Sequence, residues 1–299
     1  MLRLINCWLC LLLAMLIACP VSAADIPVVD ADGQSLVLDG PAQRIVSLSP
    51  HITEQLFAIG AGERIVATVE WSDYPAAAQN ILRLGSSSTI NYEVLLRLRP
   101  DLVIVWRSGN GEQVVARLKA LGLKVYVQEP RSIADIPVEL ARLGQLTGQR
   151  AEADAVINDF NGRIKRLRDT YSQRQKVRVF QQIWNQPMIS LNGEHLVSDI
   201  IRLCGGENIF ADAPALVVNT SLEMVVLKDP QVIVISESDG NPPEWASDWQ
   251  RWPDISAVAN QQVYVINPDL LHRHGPRIAE GAEQMCSYID KARDRQGPG

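Results

Sequence analysis

Residues 92–105 read YEVLLRLRPDLVIV, and residues 222–235 repeat the same pattern as LEMVVLKDPQVIVI. In both stretches a glutamate stands at the second position, and a proline separates a helical pattern from an aliphatic run. Proline stops a helix, and an unbroken aliphatic run is typical of a strand that is buried on both faces. Asn91 and Ser221 precede the two copies as candidate N-caps. The repeat therefore predicts a short helix and a buried strand in each of two lobes of similar plan.

A strand–helix–strand alternation surrounds both copies of the repeat. Such alternation is typical of a parallel sheet with helical crossovers. The predicted elements are strands at residues 44–48, 65–69, 102–106, 123–127, 177–183, 232–235 and 263–266, helices at 53–59 and 114–121, and a further apolar segment at 198–203.

A different kind of segment lies between the halves. Residues 152–174 are highly charged, contain no proline and carry apolar residues at near-helical spacing, which predicts one long helix. A rigid helical link would limit hinge motion and leave a deep cleft between the lobes, where ligands bind. We therefore predict an α/β fold of two Rossmann-like lobes joined by one long α-helix. The predicted boundaries are residues 24–150 for the N-terminal lobe, 151–175 for the connecting helix and 176–299 for the C-terminal lobe.

The start of the chain has the features of an export signal. Arg3 precedes an apolar run at residues 8–18, and the small residues of a signal-peptidase site follow. The run is shorter than the roughly 20 residues that a transmembrane helix needs. We predict a signal peptide at residues 1–23 and a periplasmic product. Residues 16–19 also match a lipobox, so a lipid anchor on Cys19 is the alternative.

Composition limits the partners and the redox state. The chain has 28 Lys and Arg residues against 34 Asp and Glu residues, a net charge of −6, which argues against a nucleic-acid partner. Three of the 5 cysteines fall in the predicted leader. Because the compartment is oxidising, we expect the remaining two, Cys204 and Cys286, to form a disulfide.

Neither an enzyme motif nor a metal motif emerges from the sequence. The G-x-x-x-x-G-K loop, the G-x-S-x-G elbow and the H-E-x-x-H zinc pattern are all absent. His272 and His274 lie near Asp269, but His51 and His195 are far away in sequence, and nothing local gathers four ligands. We therefore predict a binding protein rather than an enzyme, with no cofactor or metal site and with histidines at the surface or the cleft rim. The alternative is a histidine that reaches the metal of a bound ligand.

Five stretches carry a resemblance to a known family. The chain resembles the bacterial periplasmic binding proteins that serve cobalamin, ferric siderophore and haem importers, and most closely the cobalamin-binding members. The resemblance implies the substrate-binding component of an ABC importer, with cobalamin or a related corrinoid as the transported ligand. Ferric siderophore or haem is the alternative. The matching stretches are residues 45–50 (IVSLSP), 72–75 (SDYP), 100–107 (PDLVIVWR), 204–210 (CGGENIF) and 276–278 (PRI).

The resemblance also implies a ligand site of aromatic walls and polar anchors, as a broad apolar corrin with an amide rim requires. Three tryptophans stand at the ends of predicted strands, on the ligand side of a parallel sheet. Ser88 and Val217 stand where the family has aromatic residues. The alternatives are core packing for each tryptophan and a solvent-exposed ion pair for the two charged residues. The predicted ligand-binding residues are Trp71, Tyr74, Ser88, Trp106, Trp184, Asp269 and Arg273.

The two glutamates of the repeat receive a separate role. In the family, a glutamate at the tip of each lobe pairs with arginines of the transporter, which assigns Glu93 and Glu223 to docking on an ABC permease dimer. Carriers that dock in this way are commonly monomers, and we expect a monomer here. The alternative is that each acid only complements the positive end of a helix dipole.

Overall fold

The computed structural model describes residues 26–237 and 243–295. The predicted signal peptide at residues 1–23 and the alternative anchor at Cys19 lie outside the described residues, so both stay predictions. Within those two ranges, no helix has the length and hydropathy needed to cross a membrane.

The first lobe begins with a hairpin and continues as alternating strands and helices. Its strands are β1 (Ile26–Val29), β2 (Ser35–Leu38), β3 (Ile45–Ser47), β4 (Ile65–Ala67), β5 (Leu102–Trp106) and β6 (Val125–Gln128). Its helices are α1 (Pro50–Ala58), α2 (Tyr92–Arg97), α3 (Arg107–Asn110), α4 (Glu112–Ala120) and α5 (Asp135–Thr147), with 3-10 turns at Gly62–Arg64 and Ala76–Asn80. The hairpin is antiparallel, and the other four strands form the predicted parallel sheet in the order β4-β3-β5-β6.

The central strand β5 shows why this sheet needs cover on both faces. Successive side chains of a strand point to opposite faces. Leu102 and Ile104 accordingly pack into one hydrophobic cluster, and Val103 and Val105 pack into another. All four are fully buried, which confirms the prediction of a strand covered on both sides.

One long helix, α6 (Arg150–Tyr171), joins the lobes, as the sequence predicted. Phe160 and Ile164 bury its apolar stripe in the shared core. On the same helix, the Arg163 guanidinium donates two hydrogen bonds of 2.8 Å to the carboxylate of Glu283 in the second lobe. The connecting helix is therefore packed against the core and bonded to the second lobe.

The second lobe repeats the plan of the first. Its strands are β7 (Val177–Gln182), β8 (Ile189–Leu191), β9 (Gly206–Asn208), β10 (Val217–Asn219), β11 (Val232–Ser236) and β12 (Val263–Ile266). Its helices are α7 (Leu196–Leu203), α8 (Leu222–Lys228), α9 (Ser256–Ala259), α10 (Asp269–His272) and α11 (Ile278–Arg295), with a 3-10 helix at Glu244–Arg251. The parallel sheet has the order β12-β11-β7-β9, and β8 pairs antiparallel with β10.

The repeat extends to the backbone of its turns. The Asn91 carboxamide accepts a hydrogen bond of 3.0 Å from the Val94 N–H, as expected for an N-cap. Ser221 occupies the matching position, but its side chain makes no capping bond. Before each proline of the repeat, a non-glycine residue adopts the left-handed conformation: Arg99 with φ 46° and Asp229 with φ 41°. The chain therefore turns in the same way at both copies.

Three tryptophans lie in or directly after the 3-10 helix of the second lobe, and two of them pack into that lobe. Trp249 is buried in the hydrophobic cluster of this lobe, and Trp245 packs against the same cluster. Trp252 follows the 3-10 helix and is exposed. Trp245 and Trp249 therefore pack this segment against the second lobe.

The predicted disulfide is present. Cys204 directly follows α7 as its C-cap, and its sulfur bonds to that of Cys286 in α11, with a sequence separation of 82 residues. Both cysteines are fully buried. The bond therefore ties the C-terminal helix to the inner part of the second lobe.

Removing this bond should lower the free energy of unfolding. For the Cys204→Ala/Cys286→Ala variant we expect a loss of about 4 kcal/mol, because cross-linking so long a loop restricts the unfolded chain. The measurement is urea denaturation of the variant beside the oxidised and the reduced wild type. The reduced wild type should resemble the variant, and a loss below about 1 kcal/mol would contradict the entropic account.

Candidate ligand cleft

Polar side chains gather where the carboxyl ends of the two parallel sheets face each other. In α/β folds this edge of a sheet carries the ligand-binding loops. We call the contact between the two edges the inter-lobe seam. Its residues are His51, Glu54, Gln55, Asp73 and Trp106 from the first lobe and His195, His272, Arg273, His274 and Arg277 from the second.

The carboxylate of Glu54 holds the seam together. Its side chain is only 3% exposed, and it accepts hydrogen bonds from Arg273 at 2.8 Å and from two nitrogens of Arg277 at 2.8 Å. Arg273 also pairs with Asp73 at 2.8 Å and with Asp269 at 2.9 Å. Because the acids Glu54 and Asp73 come from the first lobe and both arginines from the second, the network fixes the lobes relative to each other.

Three of the predicted ligand-binding residues meet at this network. The guanidinium of Arg277 lies 3.7 Å above the ring centroid of Tyr74, next to the pair formed by Asp269 and Arg273. The Arg273 side chain is 13% exposed and that of Asp269 is 30% exposed, so this is not the solvent-exposed ion pair of the alternative reading. Burial raises the pKa of the Asp269 carboxyl, and the nearby Arg273 acts in the opposite direction.

Trp106 forms the middle of the seam. It ends β5, and its ring centroid lies 5.2 Å from that of His51 and 5.4 Å from that of His274. A Cβ atom on Gly109 would lie 2.0 Å from the Trp106 ring, so only glycine fits beneath it. The indole therefore packs on Gly109 of α3 and against the rings of His51 and His274.

The other aromatic candidates lie open to solvent. Trp71 is 77% exposed and Trp184 is 61% exposed, and Tyr74 is also exposed. These values exclude core packing for both tryptophans. Ser88 is exposed, with its hydroxyl 3.4 Å from that of Ser86. None of the contacts in the described part of the chain joins Trp71, Ser88 or Trp184 to the seam, so their place at a ligand stays a prediction.

All 4 histidines of the chain converge at the seam, which corrects the expectation of surface or rim histidines. The ring centroids of His51 and His274 are 5.5 Å apart, those of His274 and His195 are 6.3 Å apart, and those of His195 and His272 are 6.0 Å apart. His51 and His274 are buried, and the other two are half-buried. They form one row that crosses from the first lobe into the second.

Burial keeps these imidazoles neutral. It lowers the pKa of His195 to about 4, of His272 to about 3 and of His274 to about 4, and it holds the pKa of His51 well below its usual range. Neighbouring histidines strengthen the effect at His51, His272 and His274, because protonation of one ring disfavours protonation of the next. The row is therefore uncharged at neutral pH.

A cavity of about 200 Å³ opens onto the row from one side. Trp106 and Glu129 line it from the first lobe, and Glu194, His195 and His274 line it from the second. It is therefore a gap between the lobes, and the histidine row is reached through it.

Sequence reasoning missed two central residues of the seam. Arg277 belongs to a stretch that carried the family resemblance, yet it received no role. Glu54 lies between the buried residues Ile52 and Leu56 of α1. An acidic residue between apolar helix positions could have indicated that Glu54 is buried and paired. The histidine row left no such signal, because its members come from three separate segments.

The family model for the periplasmic binding protein matches residues 45–270. That range contains both sheets and most of the seam. The chain belongs to the periplasmic binding protein family.

Curated members of this family resemble the chain over most of its length. A vitamin B12-binding protein of Vibrio cholerae is 38% identical over 250 residues, which is 83% of this chain and 90% of that protein. A vitamin B12-binding protein of Yersinia pestis is 35% identical over 248 residues, covering 83% of this chain and 86% of that protein.

Solved structures of periplasmic binding proteins agree. The crystal structure of the periplasmic vitamin B12 binding protein BtuF of Vibrio cholerae matches with a TM-score of 0.78 and 38% identity, covering 85% of this chain and 98% of that one. The periplasmic haem-binding protein BhuT, in complex with two haems, matches with a TM-score of 0.75 but 20% identity, over 85% of this chain and 99% of that one. The second likeness concerns the fold alone.

The buried row makes the stability of this periplasmic binding protein dependent on pH. His195 has a pKa of about 4 in the fold against an ordinary value of 6.5, so the unfolded chain takes up the proton first as the pH falls. The contribution of His195 to the free energy of unfolding is complete above about pH 6.5 and is lost as the pH falls from about 6.5 to about 4. Between pH 7 and pH 5, the His195 contribution should fall by about 2 kcal/mol.

The measurement is the free energy of urea unfolding at pH 7 and at pH 5, for the wild type and for His195→Gln. The variant should lose less stability than the wild type over this interval, because it lacks one titrating group. Equal losses in both proteins would contradict the assignment of a neutral, buried His195.

Proposed function

We propose that this chain is the substrate-binding component of an ABC importer and that it carries cobalamin or a related corrinoid. The observation that carries the proposal is the pair of exposed tryptophans, Trp71 in the first lobe and Trp184 in the second, each in the loop that follows a strand of its parallel sheet. Large exposed aromatic side chains beside a cleft are typical of a site that a ligand covers. The 38% identity to a curated vitamin B12-binding protein supports a corrinoid as that ligand.

The chemistry of the cleft fits a large uncharged ligand. The faces of Trp71, Trp106 and Trp184 supply apolar walls for a corrin ring, and Asp269 and Arg273 supply polar anchors for its amide rim. The cavity of about 200 Å³ is smaller than the roughly 300 to 1,000 Å³ that ligand pockets enclose. A ligand of corrinoid size must therefore lie across the exposed aromatic residues or separate the lobes.

The charges of the seam disfavour an anionic siderophore. Such a ligand needs converging arginines that lack other partners, and the two arginines that could serve are already paired. Arg107 forms an ion pair with Asp32, and Arg273 pairs with Glu54, Asp73 and Asp269. Cobalamin carries no comparable anionic chelate, so the paired arginines do not oppose it.

Export and architecture complete the proposal. A signal peptide at residues 1–23 would deliver the carrier to the periplasm, where members of this family act. The mature carrier would comprise the N-terminal lobe at residues 24–150, the connecting helix at 151–175 and the C-terminal lobe at 176–299. It would act as a monomer, without a cofactor of its own.

The two glutamates of the repeat remain our candidates for transporter docking. Glu93 and Glu223 lie in the first turns of α2 and α8, the matching helices of the two lobes. Glu93 is 82% exposed and faces Arg97 at 3.7 Å, a pair that contributes little at the surface. The hydroxyl of Ser221 lowers the pKa of Glu223 through a hydrogen bond. Both side chains are acidic and accessible, as docking onto arginines of a permease dimer requires.

The cleft assignment predicts the effect of removing Trp106. Trp106→Ala should weaken cyanocobalamin binding at least tenfold, about 1.4 kcal/mol, because a half-buried aromatic wall of the cleft is lost. Gly109→Ala should also weaken binding, because the new methyl group would displace the indole. The measurement is calorimetric titration of the exported protein with cyanocobalamin.

Trp252→Ala is the matched control, because Trp252 is an exposed tryptophan outside the seam. The affinity of the Trp252→Ala variant for cyanocobalamin should equal that of the wild type. Saturable binding that is unchanged in Trp106→Ala would remove Trp106 from the site. The absence of binding by the folded wild type would overturn the corrinoid proposal.

The docking assignment predicts a separation of two activities. Glu93→Ala/Glu223→Ala should impair stimulation of the transporter ATPase while leaving the affinity for cyanocobalamin unchanged, because neither residue lies at the seam. The matched control is Glu112→Ala/Glu207→Ala, which removes one exposed carboxylate from each lobe. Equal stimulation by both double variants, or a large loss of ligand affinity in the first, would contradict the assignment.

A further inference from the structure

We propose that His195, Glu129 and Glu194 select a ligand that places a primary carboxamide in the cavity between the lobes, and that they reject a carboxylate at the same place. The inference rests on the proposed corrinoid function and deepens it, because corrinoids carry carboxamide arms around the ring whereas haem carries carboxylates. The decisive observation is that a hydrogen-bond donor with a fixed proton position and two acidic side chains line one cavity of about 200 Å³.

The position of the proton on His195 is fixed by the helix that His195 caps. His195 is the N-cap residue of α7, and its Nδ1 accepts a hydrogen bond of 3.1 Å from the Val197 N–H. A ring nitrogen that accepts such a bond carries no proton, so the proton of the neutral imidazole is on Nε2. Burial lowers the pKa of His195 to about 4, which keeps the ring neutral at pH 7. His195 therefore presents an N–H donor and not a cation.

The Nε2–H group of His195 is available to a ligand. It lies on the side of the ring opposite Nδ1, and among the described residues no group pairs with it. Unlike Nε2 of His51, it is not a buried atom that the chain encloses, and His195 lines the cavity. Burial also lowers the pKa values of His272, to about 3, and of His274, to about 4. These two neighbours in the histidine row therefore add no positive charge beside the donor.

Two acidic side chains line the cavity together with this donor. Glu129 follows β6 in the first lobe; its side chain is 12% exposed, and its Oε2 accepts a hydrogen bond of 3.0 Å from the Ser108 N–H. Glu194 precedes His195 in the second lobe and forms no ion pair with any residue of the described ranges. Arg131 is the basic residue of the lining, but its guanidinium lies 3.5 Å from Glu129 and is 75% exposed. Acidic side chains therefore outnumber basic ones around the cavity.

This lining matches a carboxamide and opposes a carboxylate. The carbonyl oxygen of a primary amide can accept from Nε2–H of His195, and its NH₂ group can donate to an acidic side chain. A carboxylate has no N–H to donate, and it would lie next to two acidic side chains that repel it. Sites that pair polar groups of a ligand reject an analogue that lacks those groups much more strongly than apolar pockets do.

The size of the cavity suits one arm of the ligand and not its ring. A volume of about 200 Å³ lies below the roughly 300 to 1,000 Å³ of pockets that enclose a whole ligand. Pro130, Leu196 and Leu216 line the same cavity and offer apolar contacts to the methylene groups of an arm. One carboxamide arm can therefore enter between the lobes while the ring stays outside, which also fixes the orientation of the ring.

The test compares cyanocobalamin with its monocarboxylic acids, in each of which one carboxamide arm has been hydrolysed. The measurement is calorimetric titration of the exported protein at pH 7. We expect at least one acid, which we call the sensitive acid, to bind about tenfold or more weakly than cyanocobalamin. Glu194→Gln should narrow that ratio about threefold, because one of the two repelling side chains becomes neutral.

Glu207→Gln is the matched control for Glu194→Gln, because Glu207 is an exposed acid of the second lobe outside the cavity. The ratio between cyanocobalamin and the sensitive acid should be the same in this variant as in the wild type. Equal affinities of the wild type for cyanocobalamin and for every acid would overturn the inference. A ratio that Glu194→Gln leaves unchanged would remove Glu194 from the selecting group.

His195→Asn tests the donor without removing the helix cap. Asparagine is a good N-cap residue, but its side chain is too short to reach the position of Nε2. Binding of cyanocobalamin should weaken about tenfold, whereas binding of the sensitive acid should change little, because its carboxylate is already kept out of the cavity. A general structural defect would weaken both ligands. Equal losses for the two ligands would therefore overturn the role of His195.

Two outcomes separate this inference from the proposed function. Binding of cyanocobalamin without discrimination against any of its acids would refute the inference and leave the carrier function intact. Failure of the folded wild type to bind cyanocobalamin, or a preference for ferric haem with its two carboxylates, would overturn both.

Discussion

The buried carboxylate of Glu54 is the interaction on which the arrangement of the lobes depends. A charge removed from water must be matched at close range, and both of its partners, Arg273 and Arg277, belong to the opposite lobe. Removing one partner of such a buried pair generally costs about 3 to 5 kcal/mol. The network therefore fixes the arrangement in which Trp106 of the first lobe meets the histidines of the second.

The inter-lobe seam and the exposed tryptophans offer chemically different surfaces to a ligand. Within the seam, arginines are paired with acids and imidazoles are neutral, so its interior has little net charge to offer. Trp71 of the first lobe and Trp184 of the second present large aromatic faces to solvent. A ligand that is apolar over most of its area and uncharged at its edge matches both parts. An anionic chelate would have to displace carboxylates from arginines that already hold them.

The sequence predicted the structural features that depend on residues close together in the chain. The repeat of residues 92–105 at 222–235 indicated two lobes. A helix that ends before a proline and a strand that is buried on both faces can each be recognised from residues that are close together in the chain. It could not predict the histidine row, since His51, His195 and His272 come from segments that meet only through packing of the lobes. Glu54 escaped notice for the same reason: its partners lie 219 and 223 positions away in the chain.

The connecting helix and the unpaired nitrogens together determine how ligand and protein respond to each other. α6 is packed against the core and tied to the second lobe by Arg163 and Glu283, so large hinge motion is disfavoured. Among the described residues, Nε2 of His51 and Nε1 of Trp106 have no hydrogen-bond partner, and each such buried atom costs about 1 to 3 kcal/mol. Closure over a ligand that pairs these atoms recovers that cost, whereas closure without one does not. A ligand of corrinoid size can therefore reach these atoms only by separating the lobes against the ion pairs of Glu54.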